Sequence, residues 1–144
     1  MRKLVCFSLA ILVLFCFTAC NLNLNLEDLA NESESAAITE EMLDILAEKR
    51  VDDAKALFHP QVDEEIDTAI TQMCDFLDGR KAESVEIISI NINNSTGTGG
   101  RSRQEQVSYS VRLDDGQIIY ASAVYLSDQD GDGFVSFQLI LGII

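Results

Sequence analysis

The sequence predicts an α+β domain, with N-terminal helices packed on a curved four-stranded antiparallel sheet. Three observations predict it. Between Ser35 and Leu77 apolar residues recur at helical spacing. From Glu83 onward the period falls to two, with isoleucine, valine and tyrosine alternating with polar residues. Turn-forming pairs, Asp115-Gly116 foremost, separate the alternating runs. Helices first and hairpin-linked strands afterwards is the order of an α+β chain with an antiparallel sheet.

The N-terminus precedes that domain. Arg2 and Lys3 are followed by Leu4 to Phe17, fourteen residues all apolar but Ser8. A bilayer-spanning helix needs ~20 apolar residues. A charged start and a shorter apolar run match a secretory signal peptide. "FTAC" at Phe17 to Cys20 resembles the lipobox of bacterial lipoprotein signal peptides. The resemblance implies cleavage before Cys20 and attachment of a diacylglyceryl group to its sulfur. Phe17 departs from the family, which prefers leucine there. Residues 1–19 are thus expected to be a signal peptide, 20–34 a lipid-anchored tether and 35–144 the folded domain. The protein is expected on the extracytoplasmic side of a bacterial cell membrane. The competing expectation is an ordinary secreted protein cut near Ala19.

Loss of Arg2 and Lys3 carries the formal charge from −14 to −16. Such a surface repels nucleic acid, so no nucleic-acid partner is expected. Glu27 to Asp78 holds sixteen of the acidic residues, as expected of a solvated helical surface. Once Cys6 and Cys16 leave with the signal, Cys74 has no partner within the chain and reads as a small buried apolar residue.

In "NLNLNLEDLANESES" the alternation of Asn and Leu fits a strand, but its place behind Cys20 makes it the tether. Ile38, Met42, Ile45 and Leu46 predict a helix starting near Ser35, with Lys49 and Arg50 at its C-terminal end. Asp52 or Asp53 is expected to cap a short second helix through Leu57 and Phe58, which Pro60 stops. Asp63 is expected to open a third helix, with Ile66, Ile70, Met73 and Leu77 as its apolar stripe and Gly79 as its stop. Four strands follow. Val85 to Ile92 is the first. The second alternates Val107, Tyr109, Val111 and Leu113 with Gln106, Ser108, Ser110 and Arg112. The third is Gln117 to Leu126. The last runs from Phe134, with Val135, Phe137, Leu139, Leu141 and Ile143 expected on one face.

This order resembles the cystatin-like superfamily typified by nuclear transport factor two, in which helices close over a curved sheet to make a cone. More narrowly it looks like uncharacterised bacterial lipoproteins with such a domain behind a lipobox. The residues that carry the resemblance are "KALFHP" at Lys55 to Pro60 and "DGF" at Asp132 to Phe134. Relatives often show a tryptophan early in the last strand, and this chain has none. The resemblance brings no catalytic residues and no cofactor with it.

Little in the sequence reads as chemistry. His59 is the single histidine, and its place before Pro60 suggests a turn residue. Tyr109, Tyr120 and Tyr125 read as core packing or as pocket walls. "STGTGGR" at Ser95 to Arg101 lacks the lysine and the following helix of a phosphate loop, and reads as a hairpin loop. "DQDGDGF" at Asp128 to Phe134 begins as a calcium loop does, with Asp128, Asp130 and Asp132 at alternate positions and Gly133 sixth. Position twelve, which should be a bidentate glutamate, is Leu139, so the stretch reads as a hairpin turn without a metal. The expected function is a non-enzymatic, lipid-anchored domain that binds a small molecule or an envelope protein. The alternative is a small enzyme using the interior of the cone. The last two strands are apolar on both faces, which predicts a weak homodimer or coverage by a partner.

Overall fold

A computed structural model describes residues 33–62 and 65–142. The apolar run, Cys20, most of the tether, Asp63, Glu64 and Ile143 lie outside the described residues. The described chain is α+β: three helices, then a four-stranded antiparallel sheet in the order β1-β2-β3-β4.

Helix α1, Glu34–Ala47, begins a residue earlier than its apolar spacing indicates, because Ser33 caps it. The Ser33 hydroxyl accepts from the Ala36 amide at 3.1 Å, which satisfies one of the free donors of the first turn. Met42, Leu43, Ile45 and Leu46 are buried on its inner face. The helix ends where Lys49 turns into the left-handed region. Helix α2, Val51–Ala56, is not capped by Asp52 or Asp53 as expected. Its N-cap is Arg50, and both aspartates lie in the first turn, where they meet the positive end of the helix dipole. Helix α3, Ile66–Leu77, buries Ile66, Ile70, Met73 and Leu77 as the spacing predicts, and Cys74 beside them. Asp78 and Gly79 both take positive φ and end it. The Arg80 guanidinium then donates to the Leu77 and Phe76 carbonyls at the end of the helix and to Asp115 and Gln117 in the β2–β3 turn. One cation thus closes α3 and ties it to the sheet.

Strand β1 spans Ala82–Gly97 and β2 spans Gly100–Leu113. The "STGTGGR" stretch is not the loop expected from its composition. Ser95 pairs with Ser102 and Gly97 with Gly100, so the ribbon continues to a turn at Thr98 and Gly99. Strand β3, Ile118–Asp128, follows the Asp115-Gly116 turn, and β4 is Gly131–Leu141. Val107, Tyr109, Val111, Ile119, Ala121 and Ala123 are buried against the helices.

The expected inner face of the last strand holds at Phe137 and Leu139 and needs correction at Val135 and Leu141. A bulge lies where Tyr125 pairs with Phe134 and Val124 with Ser136, leaving Val135 without a partner. Phe134 therefore turns inward and is fully buried, packed edge-on against Tyr125, Phe137 and Phe58. Val135 is only half-buried, and Leu141 is half exposed. No helix among the described residues is long and apolar enough to cross a membrane.

Candidate functional site

"KALFHP" and "DGF" lie far apart in sequence and meet in the fold. Phe58 forms a parallel bridge with Phe134. The His59 amide donates to the Phe134 carbonyl at 2.9 Å, and the Phe134 amide to the Leu57 carbonyl at 2.9 Å. Gly133 lets the two backbones approach, since a Cβ there would sit 2.4 Å from the His59 nitrogen. His59 is thus not a simple turn residue. Its side chain is buried, its Nδ1 accepts from the Gln61 amide at 3.1 Å, and its Nε2–H donates to Asp128 Oδ1 at 3.1 Å. Both ring nitrogens are occupied, and this pairing defines the neutral tautomer.

The acidic turn is held by donors of the protein itself. Asp128 Oδ1 also accepts from the Asp130 amide at 2.8 Å, which makes the local turn. That amide first, and His59 as well, hold the Asp128 carboxyl below the usual range. Asp130 Oδ2 accepts from Gln61 Nε2 at 2.9 Å, and Asp132 Oδ1 from the Ser127 hydroxyl at 2.5 Å. Each carboxylate therefore faces a different donor, and two of them strap the helical hairpin to the sheet. Millimolar calcium is expected to move the thermal midpoint no further than magnesium at equal ionic strength. A calcium-specific rise abolished by Asp130→Asn would show that the loop rearranges around the metal.

The interior holds a polar cluster that residue types alone did not single out. Glu105 on β2 is 0% exposed. Its Oε2 accepts from the Ser33 hydroxyl at 2.6 Å and the Ser35 amide at 3.0 Å. Its Oε1 accepts from Arg103 Nε at 2.8 Å and the Glu34 amide at 3.3 Å. Burial pushes this carboxyl up, but the Ser33 hydroxyl, Arg103 and the two amides together outweigh it and hold the carboxyl below its usual range. Beside it Ser35 Oγ lies 3.0 Å from the Tyr109 hydroxyl, and the Thr39 hydroxyl donates to the Ser35 carbonyl at 2.7 Å. Burial raises the Tyr109 phenol. Burial and then the charges of Glu34, Asp132 and Glu105 push Tyr125 up to about 12. The sequence did carry a signal for Glu105: it shares the odd-numbered parity of Val107, Tyr109 and Val111, which face inward.

Among the described residues every buried side-chain nitrogen and oxygen has a hydrogen-bond partner. Cys74 is buried, and burial and then Asp75 raise its thiol, so its nucleophilic form is disfavoured. Tyr109 and Tyr125 belong to the core, whereas Tyr120 lies on the outer face of the sheet.

One concavity lies outside the core. It is a groove of about 640 Å³ where the tip of the β1–β2 ribbon meets the β3–β4 turn, lined by residues 94–96, 101–103 and 127–129. Its walls are hydroxyls and amides, with Arg101 and Arg103 opposite Asp128. Comparison of the chain with protein-family models, curated proteins and solved structures finds no match.

Proposed function

We propose that this chain is a lipid-anchored, extracytoplasmic binding domain of cystatin-like architecture, without catalytic activity of its own, that takes a small polar molecule in the groove at the ribbon tip. The carrying observation is where open space and exposed polar side chains coincide. Inside, Glu105 and Tyr109 are committed to Ser33 and Ser35. An enzyme working within a cone would instead aim a titratable group into an open chamber. The tip groove presents Asn94, Thr96, Arg101 and the exposed hydroxyl pair of Ser95 and Ser102, 2.7 Å apart, to a ligand, in a volume of about 640 Å³, within the ~300–1,000 Å³ of small-molecule sites.

Mass analysis of small molecules that co-purify with the full chain tests the ligand reading. A polar compound retained by the wild type and lost from both Arg101→Ala and Ser102→Trp supports it. A compound retained equally by both variants, or none at all, refutes it.

The anchor is tested separately. Metabolic labelling with a fatty-acid analogue is expected to mark the wild type and not Cys20→Ala. Two or three acyl chains would hold the protein stably where one binds only marginally. Equal labelling of the two proteins would remove Cys20 as the attachment site.

A further inference from the structure

The helices cover one face of the sheet and leave the other open. On that outer face Ile118, Tyr120 and Ile140 are 40%, 42% and 53% exposed. Tyr120 pairs with Ile140 across β3 and β4, so the three side chains form one ridge. Next to it lies a hollow of about 320 Å³ between two rows that the register aligns across β1, β2 and β3: Ser89, Ser108 and Ser122 on the near side, and Asn91, Gln106 and Val124 on the far side. The small serines make the side of the hollow nearer the ridge, and Ser122 stands two residues from Tyr120, ~7 Å along the strand.

We propose that a second copy of this chain packs on this face, sheet against sheet, with the Tyr120 ridge of each copy in the serine hollow of the other. A two-fold contact must be complementary to itself. A ridge and a hollow one step apart on the same face meet that demand. Sheets pack face to face in this way, and the hydroxyls of the hollow suit the polar tip of a tyrosine.

Charge selects the occupant. The chain carries a formal −14. Yet at the outer positions of β3 from Ile118 to Val124, and at the positions in register with them on β1, β2 and β4, the charged residues are Glu86 and Arg112, which are opposite in sign. A like-charged copy meets strong repulsion at the helical surface and none here. A basic partner would be drawn to that acidic helical surface instead. The dimer is independent of the ligand in the tip groove.

The test uses the full chain in the membranes of an expressing bacterium. Ser122→Cys places a thiol near the proposed axis, and Thr68→Cys places one on the exposed side of α3. Mild oxidation followed by a non-reducing gel should give a doubled-mass band for Ser122→Cys, at least tenfold stronger than for Thr68→Cys. Adding Ser108→Glu should cut that band about tenfold while the thermal midpoint stays within a few degrees. Should Ser108→Glu unfold the protein, Tyr120→Ser carries the same arm from the ridge side. Equal bands from the two cysteines, a band insensitive to the hollow and ridge variants, no doubled band, or a cross-link to a different protein would each overturn the proposal.

Discussion

Glu105→Ala is expected to destabilise the fold by about 3 kcal/mol, a fall of roughly 10 °C in thermal midpoint for a domain of this size. The truncation strands the Ser33 hydroxyl and the Ser35 and Glu34 amides at the buried start of α1. It also removes the carboxylate that Arg103 Nε addresses. Glu105→Gln should be milder yet still costly, because one of its two ends must present N–H groups to donors. The pH dependence distinguishes this from a simple packing loss. Glu105 is held below its ordinary pKa in the folded state, so its contribution is fully present above the unfolded value, ~4.3. That contribution disappears as pH falls through the lower, folded value. The gap between wild type and Glu105→Ala should therefore be wide at pH 7 and close in strong acid. Thermal unfolding followed by circular dichroism measures both. A gap that does not change with pH would mean that the carboxylate is not charged in the fold.

Gly133→Ala is expected to cost at least as much, on the order of 3 kcal/mol, through sterics alone. Its Cβ would fall 2.4 Å from the His59 nitrogen, 2.6 Å from the Phe58 carbonyl carbon and 2.8 Å from the His59 Cα. These are backbone atoms, and the hydrogen bonds between His59, Phe134 and Leu57 hold them in place. Relief requires the clasp to open, and with it the contact of His59 with Asp128. Two other glycines grade the effect. At Gly99 an added methyl meets nothing within 4 Å, so alanine there should change stability by less than ~0.5 kcal/mol. At Gly131 the nearest atom is Pro60 Cγ at 3.1 Å, and φ is +146°, so alanine there should fall between the two. Thermal midpoints in the order Gly99→Ala, Gly131→Ala, Gly133→Ala, from highest to lowest, are the expected result. Amide exchange at His59 and Phe134 should accelerate only in the last. A Gly133→Ala protein as stable as wild type would mean that the clasp is not a fixed element of the fold.

Element type and order were legible in the sequence because they depend on local periodicity. The stripe of Ile66, Ile70, Met73 and Leu77 fixes the inner face of α3, and the alternation through β2 and β3 fixes which side chains reach the core. The Asp115-Gly116 pair states its turn outright, and Gly116 takes the positive φ that the pair implies. What the sequence could not decide depends on residues that meet only after folding. The bulge at Val135 changes the parity at the start of β4 and leaves Phe137 and Leu139 on the inner face, because Phe134 is drawn into an aromatic cluster with Phe58, Tyr125 and Phe137 that no local pattern contains. The side chains of His59 and Glu105 acquire their roles from partners 69 and 72 residues away. The Asp128 to Asp132 turn could be recognised as a turn from its glycines, but its donors come from Gln61 and His59 as well as from Ser127. The spacing of residues along a chain specifies which face a side chain takes. Only the packing of distant segments decides what a buried polar group finds there, since its desolvation must be offset by whichever donors the fold delivers.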